Sequence, residues 1–506
     1  MSKRKNIYKS FRLFDCNVFD DRTETNGFQF YIQLFGINEK GESCSITIND
    51  YQPFFYLKVP DDFSSGTITS LQDNFKKQLK YNVIDKIEIV KHKKLYGFSA
   101  GKKFKFLKLI FNSSINMNKV KHLWYRNGVL KDYYFNGNKL ELYESNIPPM
   151  LRFYHINEIS PSGWVQINTT KSEQGGIKPT NCMFEYTTSS KYVKPMPEKE
   201  TMVPYKICSF DIEASSSHGD FPVPIKSYKR LATNLVDLYN TYKPTNGKLD
   251  QLIKSSIMTA FGHAKFQNVD LVYPKDNPTK KEVETLIEKL FKKKIKEAII
   301  TDNVKNIMSL TKMFENEDSD DEYETKKAKT CNDKTTIIEV LTNDFTREEK
   351  INYLDSALTS VFPQLEGDKV TFIGSTFMNY GEKDPYLNHC LVLGSCDNID
   401  NITVETCKTE DELLVKWCEL IQQEDPDIII GYNIFGFDYE FMYRRAQENR
   451  CINEFLMLSR IKDEQCFKIK DGEISIENTK VVLASGEYDL KYYKMSGRLQ
   501  IDMYTY

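Results

Sequence analysis

The feature that most constrains the fold is the regular alternation of strand and helix patterns in the last third of the chain. The predicted elements, in order, are strands at 369–378 and 390–394, a helix capped by Thr409 and Glu412, a strand at 427–430 and a helix at 437–449. Each helix repeats apolar residues at helical spacing, and the 427–430 strand is largely apolar. This alternation predicts an α/β domain, in which helices pack on a sheet.

The first part of the chain has a different pattern. An alternating, aromatic-rich run at 28–36 is broken by a turn at 38–41, which predicts two strands joined by that turn. A helix is predicted at 69–79, and further strands between 83 and 111. The chain is therefore expected to be α+β overall, because a β-rich amino-terminal part precedes the α/β domain.

The residues at about 225–367 form a predicted insertion between these regular parts. A helix is predicted at 279–300, where apolar residues recur at helical spacing and Thr279 forms a capping box with Glu282. An acidic run at 315–324 is followed at once by Lys326, Lys327 and Lys329. A short polyampholyte of this kind buries nothing, so it predicts a disordered loop inside the insertion.

The formal charge limits how the chain could bind nucleic acid. Lys and Arg total 69 against 71 for Asp and Glu, which gives a net charge of -2, so any affinity must come from local patches. One such patch interleaves lysines with Tyr96, Phe98, Phe104 and Phe106. Its lysines are Lys91, Lys93, Lys94, Lys102, Lys103, Lys105 and Lys108. The patch could hold phosphates and stack bases, or it could be the solvated face of a sheet.

Other classes of site are disfavoured by composition. The 11 cysteines form no CxxC pair, which is typical of reduced intracellular thiols rather than of a zinc finger or a disulfide framework. No apolar stretch approaches the roughly eighteen residues of a membrane span, so no membrane partner is expected.

Two carboxylates in the run Ile207-Cys-Ser-Phe-Asp-Ile-Glu-Ala214 are candidates for chemistry. On a strand, Asp211 and Glu213 project from one face, while Phe210 and Ile212 project from the other. Adjacent carboxylates repel each other, and divalent cations such as Mg²⁺ or Mn²⁺ most easily keep both ionised. Two such ions could hold a phosphodiester between them. The alternative is an ordinary pair of acids on a solvent-facing sheet.

A third carboxylate follows the strand at 427–430. The run Gly431-Tyr-Asn-Ile-Phe-Gly-Phe-Asp438 is a glycine-punctuated loop that brings Asp438 to the first turn of a helix. The carboxyl ends of strands are where α/β sheets usually assemble ligand sites. Alternatively, Asp438 only complements the helix dipole.

Taken together, Ser209-Phe-Asp-Ile-Glu213 and Gly431-Tyr-Asn-Ile-Phe-Gly-Phe-Asp438 resemble the first two exonuclease motifs of family B DNA polymerases. Other segments resemble the delta-like members of that family, particularly those of giant DNA viruses of the mimivirus kind. These segments are Tyr143-Glu-Ser-Asn-Ile147, Leu151-Arg-Phe153, Gly163-Trp164, Phe221-Pro222 and Gly497-Arg-Leu-Gln-Ile-Asp-Met503.

The resemblance implies an amino-terminal domain at 1–200 and a ribonuclease H-like 3′-5′ proofreading exonuclease domain at 201–506. It implies that Asp211, Glu213 and Asp438 bind two Mg²⁺ or Mn²⁺ ions, with Asp211 bridging them, and that Asn433 and Phe437 hold a frayed single-stranded 3′ end. Primer-template DNA is the implied partner. The implied location is inside the host cell, in a cytoplasmic virus factory or the nucleus.

This sequence also departs from the family pattern. Members supply a further metal-binding Asp from a Tyr-x-x-x-Asp motif downstream of the Gly-Arg-x-Gln-x-Asp segment, and neither that motif nor the polymerase palm is present here. We therefore expect an incomplete polymerase, whose partners are a missing carboxyl-terminal portion or a processivity clamp. We expect weak or no Mg²⁺-dependent nuclease activity from this chain by itself.

Two other hypotheses remain open at this point. The chain could be a standalone module that binds DNA or docks onto a polymerase without catalysis. It could also be an unrelated ribonuclease H-like nuclease that takes its missing carboxylate from the acidic run around Asp318 to Asp321.

Overall fold

The structure is a computed structural model that describes residues 7–22, 27–94, 100–126, 128–173, 178–217, 219–244, 246–295, 335–470, 472–483 and 486–505. The first strands are β1 (Tyr8–Arg22), β2 (Phe28–Ile37), β3 (Ser43–Ile48), β4 (Phe54–Lys58), β5 (Lys86–Lys93), β6 (Lys103–Ile110), β7 (Tyr125–Arg126), β8 (Val129–Leu130), β9 (Tyr133–Phe135), β10 (Asn138–Tyr143), β11 (Trp164–Asn168), β12 (Phe184–Thr188) and β13 (Val193–Pro195). The later strands are β14 (Lys206–Ser215), β15 (Lys369–Asn379), β16 (Leu387–Leu393), β17 (Thr403–Cys407), β18 (Ile428–Gly431), β19 (Lys468–Lys470), β20 (Glu473–Ser475), β21 (Glu477–Leu483), β22 (Gly486–Tyr492) and β23 (Leu499–Asp502).

The helices of the described residues are α1 (Ser65–Leu79), α2 (Ser114–Lys121), α3 (Pro149–Asn157), α4 (Lys229–Tyr242), α5 (Asn246–Ala260), α6 (Lys280–Lys292), α7 (Ile337–Thr342), α8 (Arg347–Val361), α9 (Glu410–Glu424), α10 (Asp438–Glu448) and α11 (Ile452–Phe455). Short 3₁₀ turns lie at His122–Trp124, Thr169–Lys171, Ser190–Tyr192 and Met503–Thr505. No helix in these ranges is long and apolar enough to cross a bilayer.

Two large sheets and the short hairpin β7-β8 form the β-rich amino-terminal part within the described residues, as the aromatic alternating runs predict. The first has the strand order β12-β3-β2-β1-β11-β13, and the second has the order β5-β6-β4-β10-β9. In the second sheet, alternate residues such as Leu107 and Leu109 are fully buried in one core with Leu71 and Phe75 of α1. Helices α1 and α2 therefore cover one face of this sheet. On the opposite face Arg152 of α3 packs over Phe54, and Tyr56 and Phe104 remain partly exposed, so we call it the open face.

The third sheet is the α/β domain predicted from the alternating pattern. Its order is β17-β16-β15-β14-β18-β23. Strand β14 pairs antiparallel with β15 and parallel with β18, and β18 pairs parallel with β23. Phe210 of β14 packs 4.9 Å from Trp417 of α9 and 5.7 Å from Tyr439 of α10, measured between ring centroids. Both helices thus cover the same face of a ribonuclease H-like mixed sheet, and the fold class is confirmed.

Several predicted helix ends differ from the structure. The helix predicted at 279–300 ends at Lys292, and Ile295 forms an isolated bridge with Thr335 instead. Its capping box is present, because the N–H of Thr279 donates to Glu282 over 2.8 Å. At α9, the side chain of Thr409 forms no capping bond. Glu412 accepts the N–H of Lys408 over 2.7 Å, so the acid stabilises this helix start without the reciprocal bond.

Helices α4 to α8 lie between β14 and β15 in the chain and share a core of their own. This core includes Leu235, Ile253, Ile287 and Leu354, which are almost completely buried. The predicted disordered loop, with the acidic run at 315–324, lies outside the described residues.

The points where this helical cluster leaves and rejoins the sheet are fastened together. The N–H of Val223 donates to Asp368 Oδ2 over 2.9 Å, and the N–H of Asp368 donates to the Val223 carbonyl over 2.9 Å. Beside them, Arg445 Nη1 donates to the Pro224 carbonyl over 3.1 Å. Gly367 leaves the space for this contact, since a Cβ there would come within 2.2 Å of Arg445 Nη1. The cluster therefore joins the sheet at one fixed point.

Candidate active site

The first two candidate carboxylates lie on β14, on the face of the third sheet that α9 and α10 leave uncovered. Asp211 and Glu213 are exposed, whereas Phe210 and Ile212 are buried on the helix side. Asp211 Oδ1 accepts the N–H of Ile212 over 3.0 Å. The period-two alternation of a strand thus presents both acids to solvent from one face.

The third candidate, Asp438, is buried at the first turn of α10. Its side chain is 2 % exposed, and its Oδ1 has no hydrogen-bond partner among the described residues. Burial, followed by the neighbouring Asp211 carboxylate, raises the pKa of Asp438 to about 8, although the N–H groups of Asp438 and Ile212 oppose that shift. The carboxyl groups of Asp438 and Asp211 are therefore in contact, and the fold leaves an oxygen of Asp438 without a proton donor.

The loop before Asp438 has little freedom. Asn433 adopts a left-handed backbone conformation with φ of 60°, and its carbonyl accepts the N–H groups of Gly436 and Phe437 over 3.0 and 2.9 Å. A Cβ on Gly436 would lie 2.2 Å from Asn433 Oδ1. Glycine at this position lets the Asn433 side chain lie against the loop, which fixes where α10 and Asp438 begin.

Asp502 holds the same loop from the neighbouring strand, a role that the sequence patterns did not identify. It ends β23, directly opposite Gly431 in the parallel register. Its Oδ1 accepts the N–H of Asn433 over 2.7 Å and that of Tyr504 over 2.9 Å, and its Oδ2 accepts the N–H of Phe435 over 2.9 Å. The sequence signal that could have indicated this role is an acid at the carboxyl end of a short strand. The loop after β18 was selected because it too follows the carboxyl end of a strand.

Phe437 lies between two other aromatic rings. Its centroid is 5.5 Å from that of Phe221 and 5.2 Å from that of Phe441. Phe221 is 50 % exposed, so one ring of the group is available at the surface. The sequence analysis selected Phe437 but gave no role to Phe221, which lies far away in the chain, beyond the end of β14.

The residues present suit a hard divalent cation, although they do not form a complete cage. Within the described ranges no three Asp, Glu, His or Cys side chains converge closely enough to hold a metal ion. The structure brings Asp211 and Asp438 together, and Glu213 shares their side of β14. An orphaned carboxylate oxygen beside a second carboxylate is the donor chemistry that Mg²⁺ and Mn²⁺ prefer. We conclude that the pair fits the ion and that further ligands are required.

The model of the DNA polymerase family B exonuclease domain matches residues 140–232 and 350–506. The chain belongs to this family. The two matched stretches contain Asp211, Glu213, Asn433, Phe437 and Asp438, and they omit 233–349, which lies within the predicted insertion. Exonuclease domains of family B generally depend on divalent metal ions.

Among the relatives, the DNA polymerase of Phaeocystis pouchetii virus is 37% identical over 98% of this chain and 52% of its own length. The DNA polymerase of Pyramimonas orientalis virus is 32% identical over 97% of this chain and 40% of its own. The DNA polymerase delta catalytic subunit of Dictyostelium discoideum is 20% identical over 93% of this chain and 30% of its own. The chain thus spans about half the length of these relatives, or less.

Away from the candidate carboxylates, the candidate lysines of β5 and β6 separate onto two faces. Lys91 is directly opposite Lys105, and Lys93 is directly opposite Lys103, on the face that carries α1 and α2. Lys105 Nζ donates to the carbonyl of Phe63 over 2.6 Å, so this ammonium group is committed within the fold.

Lys94 and Lys102 lie at the end of the hairpin and instead approach the ring of Phe104, with Nζ 4.8 and 5.6 Å from its centroid. Lys108 is on the open face and pairs with Glu88 over 3.7 Å. Tyr96 and Phe98 lie outside the described residues.

Proposed function

We propose that this chain carries the 3′-5′ proofreading exonuclease site of a delta-like viral DNA polymerase, which removes nucleotides from single-stranded 3′ ends during replication of a viral genome. The observation that carries the proposal is the contact between Asp438 and Asp211. Burying an acid against a second acid raises the free energy of the metal-free fold, and a bound cation offsets this cost.

Asp211, Glu213 and Asp438, together with the further ligands that the site requires, would hold two Mg²⁺ or Mn²⁺ ions. When bound, such ions would lower the pKa of a water molecule and stabilise the charge that develops on the phosphodiester. The protein supplies the fixed geometry. Asp438 cannot move away, because the loop before it is held by Asp502 and by the turn at Asn433.

The frayed 3′ end would be held by Asn433 and Phe437. Phe437 is supported by Phe441 and lies beside the half-exposed Phe221, so a terminal base can contact an aromatic surface without a sequence-specific hydrogen bond. A proofreading site requires this tolerance, because the mismatched base can be any of the four.

The wider assignments follow from family membership. We propose amino-terminal and exonuclease domains at 1–200 and 201–506, with an insertion at 225–367. The separate core of α4 to α8 and the fastening at Val223 and Asp368 support that insertion. Primer-template DNA as substrate, a clamp or polymerase portion as partner, and a virus factory or nucleus as location are proposals of the same kind.

The test is a nuclease assay with the chain in molar excess over a 5′-labelled single-stranded oligonucleotide. We expect slow, Mg²⁺- or Mn²⁺-dependent shortening from the 3′ end, reduced at least 100-fold by Asp211→Asn or Asp438→Asn. Asp384→Asn, which removes an exposed acid elsewhere in the domain, is the matched control and should retain the activity. Shortening that persists in both site variants would contradict the proposal, and so would Mn²⁺ binding that is the same in both site variants as in the parent chain.

A further inference from the structure

The open face of the second amino-terminal sheet carries a cluster of aromatic rings. Because alternate residues of β6 and β4 point away from α1 and α2, this face presents Phe104 and Phe106 beside Phe54 and Tyr56. Ring centroids are 5.1 Å apart for Phe106 and Tyr143, and 5.6 Å apart for Tyr56 and His92. The rings thus continue across strands β5, β6, β4 and β10.

Some of these rings remain accessible. His92 is exposed, and Phe104, Tyr56 and Tyr143 are partly exposed, whereas Phe106 lies beneath them with 3 % exposure. Accessible rings on an antiparallel sheet provide a row of surfaces on which unpaired bases can stack. A duplex hides the faces of its bases inside its own stack, so it could not use these rings.

Cations surround the same rings. The Nζ atoms of Lys94, Lys102 and Lys58 lie 4.8, 5.6 and 5.9 Å from the centroid of Phe104. Lys58 is ion-paired with Glu141 at 3.1 Å, and Lys94 interacts with the side chain of Tyr143 and with the charge of Glu141. Neither Lys94 nor Lys102 forms an ion pair within the described residues. The three ammonium groups around this ring share one carboxylate, so net positive charge remains, and a polyanion that runs along the strand ends would balance it.

The charge continues along the sheet. Lys108 lies 4.2 Å from the centroid of Phe54, and the guanidinium of Arg152 lies 4.5 Å from it on the other side of the cluster. Each of these two cations is also paired with an acid, Glu88 and Glu144 respectively. The unbalanced positive charge is therefore concentrated at Lys94 and Lys102, at the Phe104 end of the face.

We propose that this face is a second binding site, for single-stranded nucleic acid, separate from the nuclease carboxylates. Bases stack on Phe104, Tyr143 and His92, and phosphates contact Lys94 and Lys102. The site needs no divalent ion and no exonuclease chemistry, so it can be tested independently of the proposed nuclease. The proposal narrows the lysine patch predicted from sequence. It places the single-stranded nucleic acid on the open face and not on the face that carries Lys91 and Lys93.

The test is fluorescence anisotropy with labelled dT12 in EDTA, which excludes binding through the nuclease ions. The variant Lys94→Ala/Lys102→Ala removes two cations of this face that form no ion pair within the described residues, and Phe104→Leu removes the ring but keeps its apolar bulk. The matched control is Lys91→Ala/Lys93→Ala, which deletes the same charge from the opposite face of the same hairpin. Thermal melting of each variant ensures that folded proteins are compared.

We expect the open-face double variant to reduce the slope of log affinity against log salt by roughly 1 unit, since each single-strand phosphate contact contributes about 0.7. Phe104→Leu should weaken dT12 binding roughly 5-fold or more, and a 12-bp duplex should bind more weakly than dT12. Equal binding of dT12 and rU12 would also support the site, because stacking and phosphate contacts do not require either sugar.

Three results would overturn the proposal. These are no detectable dT12 binding by the intact chain, equal losses in the open-face and control variants, or equal binding of duplex and single strand. None of them depends on nuclease activity. Loss of ion binding at Asp211 with dT12 binding intact would count against the proposed nuclease alone.

Discussion

The third sheet and the second amino-terminal sheet have the same arrangement and opposite chemistry. Each has helices on one face and functional groups on the other. On the third sheet the open face presents Asp211 and Glu213, with Asp438 buried at its edge. On the second sheet it presents Phe104 with Lys94 and Lys102 beside it. In both sheets, the side chains at alternate positions of a strand set the charge of the open face. That charge determines whether the face binds cations or a polyanion.

The two faces also differ in how firmly their charged groups are held. Asp438 is 2 % exposed and follows a loop fixed by Asp502, whereas Lys94 and Lys102 are long, accessible side chains. Small, strongly charged cations need oxygen atoms at fixed positions, but a flexible strand can be bound by side chains that adjust to it. The predictions below test this contrast, beginning with the largest effect.

The largest effect on stability should come from the buried ion pair of α10, the helix that packs against the third sheet. Arg445 has no exposed surface and contacts Glu410 at 2.7 Å and Glu448 at 2.7 Å. Arg445→Met would leave Glu410 buried without its partner, so we expect the free energy of unfolding to fall by roughly 3–5 kcal/mol in urea denaturation. The double variant with Glu410→Gln should recover part of that loss. A loss of unfolding free energy below about 1 kcal/mol would mean that this ion pair does not hold α10 rigidly against the third sheet.

The next effect concerns strand β23, which holds the loop before Asp438. Asp502→Asn would replace one carboxylate oxygen with an amide that cannot accept the N–H bonds of the loop. We expect a loss of roughly 2–3 kcal/mol in unfolding free energy, because hydrogen bonds to charged groups are involved. Hydrogen exchange at Asn433 and Phe435 should accelerate, while exchange in the second sheet stays unchanged. Uniform acceleration of hydrogen exchange across both sheets would contradict the contrast between them.

Asp438→Asn should stabilise the metal-free protein at neutral and alkaline pH. The pKa of Asp438 is raised from 3.8 to about 8 in the fold, so the native state keeps a proton that the unfolded chain has lost between these values. The contribution of Asp438 is therefore fully present below pH 3.8 and is lost as the pH rises through about 8. In EDTA, the melting temperature of the variant should exceed that of the parent by an amount that increases steadily from pH 4 to pH 8. A variant that is less stable at every pH would contradict this assignment.

The smallest effect on stability is expected in the second amino-terminal sheet. Glu141 pairs with Lys58 at 3.1 Å, and both side chains are partly exposed. Glu141→Gln should change the unfolding free energy by no more than about 0.5 kcal/mol, as for other surface pairs. The same variant should bind dT12 about twofold more tightly, because one negative charge is removed from the proposed strand path. Weaker dT12 binding would show that the ion pair, and not net charge, organises this face.

Much of this arrangement follows from local patterns. Alternation on β14 predicts that Asp211 and Glu213 share one face and that Phe210 lies on the other, and the run before Asp438 predicts a loop and a helix start. The parallel register that places Asp502 beside Gly431 could not be derived, because it joins strands whose residues are far apart in the chain. Alternation separates Lys91 and Lys93 from Lys94, but the pairing of β5 with β6 that places Lys91 opposite Lys105 could not be derived in the same way. Sequence patterns thus identify the strands, and tertiary pairing decides which groups meet.

The most direct test of the acidic site is a Mn²⁺ titration of the chain, followed by electron paramagnetic resonance of the free ion. We predict saturable binding that is lost in Asp211→Asn and in Asp438→Asn and kept in the exposed control Asp384→Asn. Binding should be accompanied by proton release at pH 7, because the pKa of Asp438 is about 8 without the ion. Mn²⁺ binding that is equal in all three variants, or absent from the parent chain, would contradict the account.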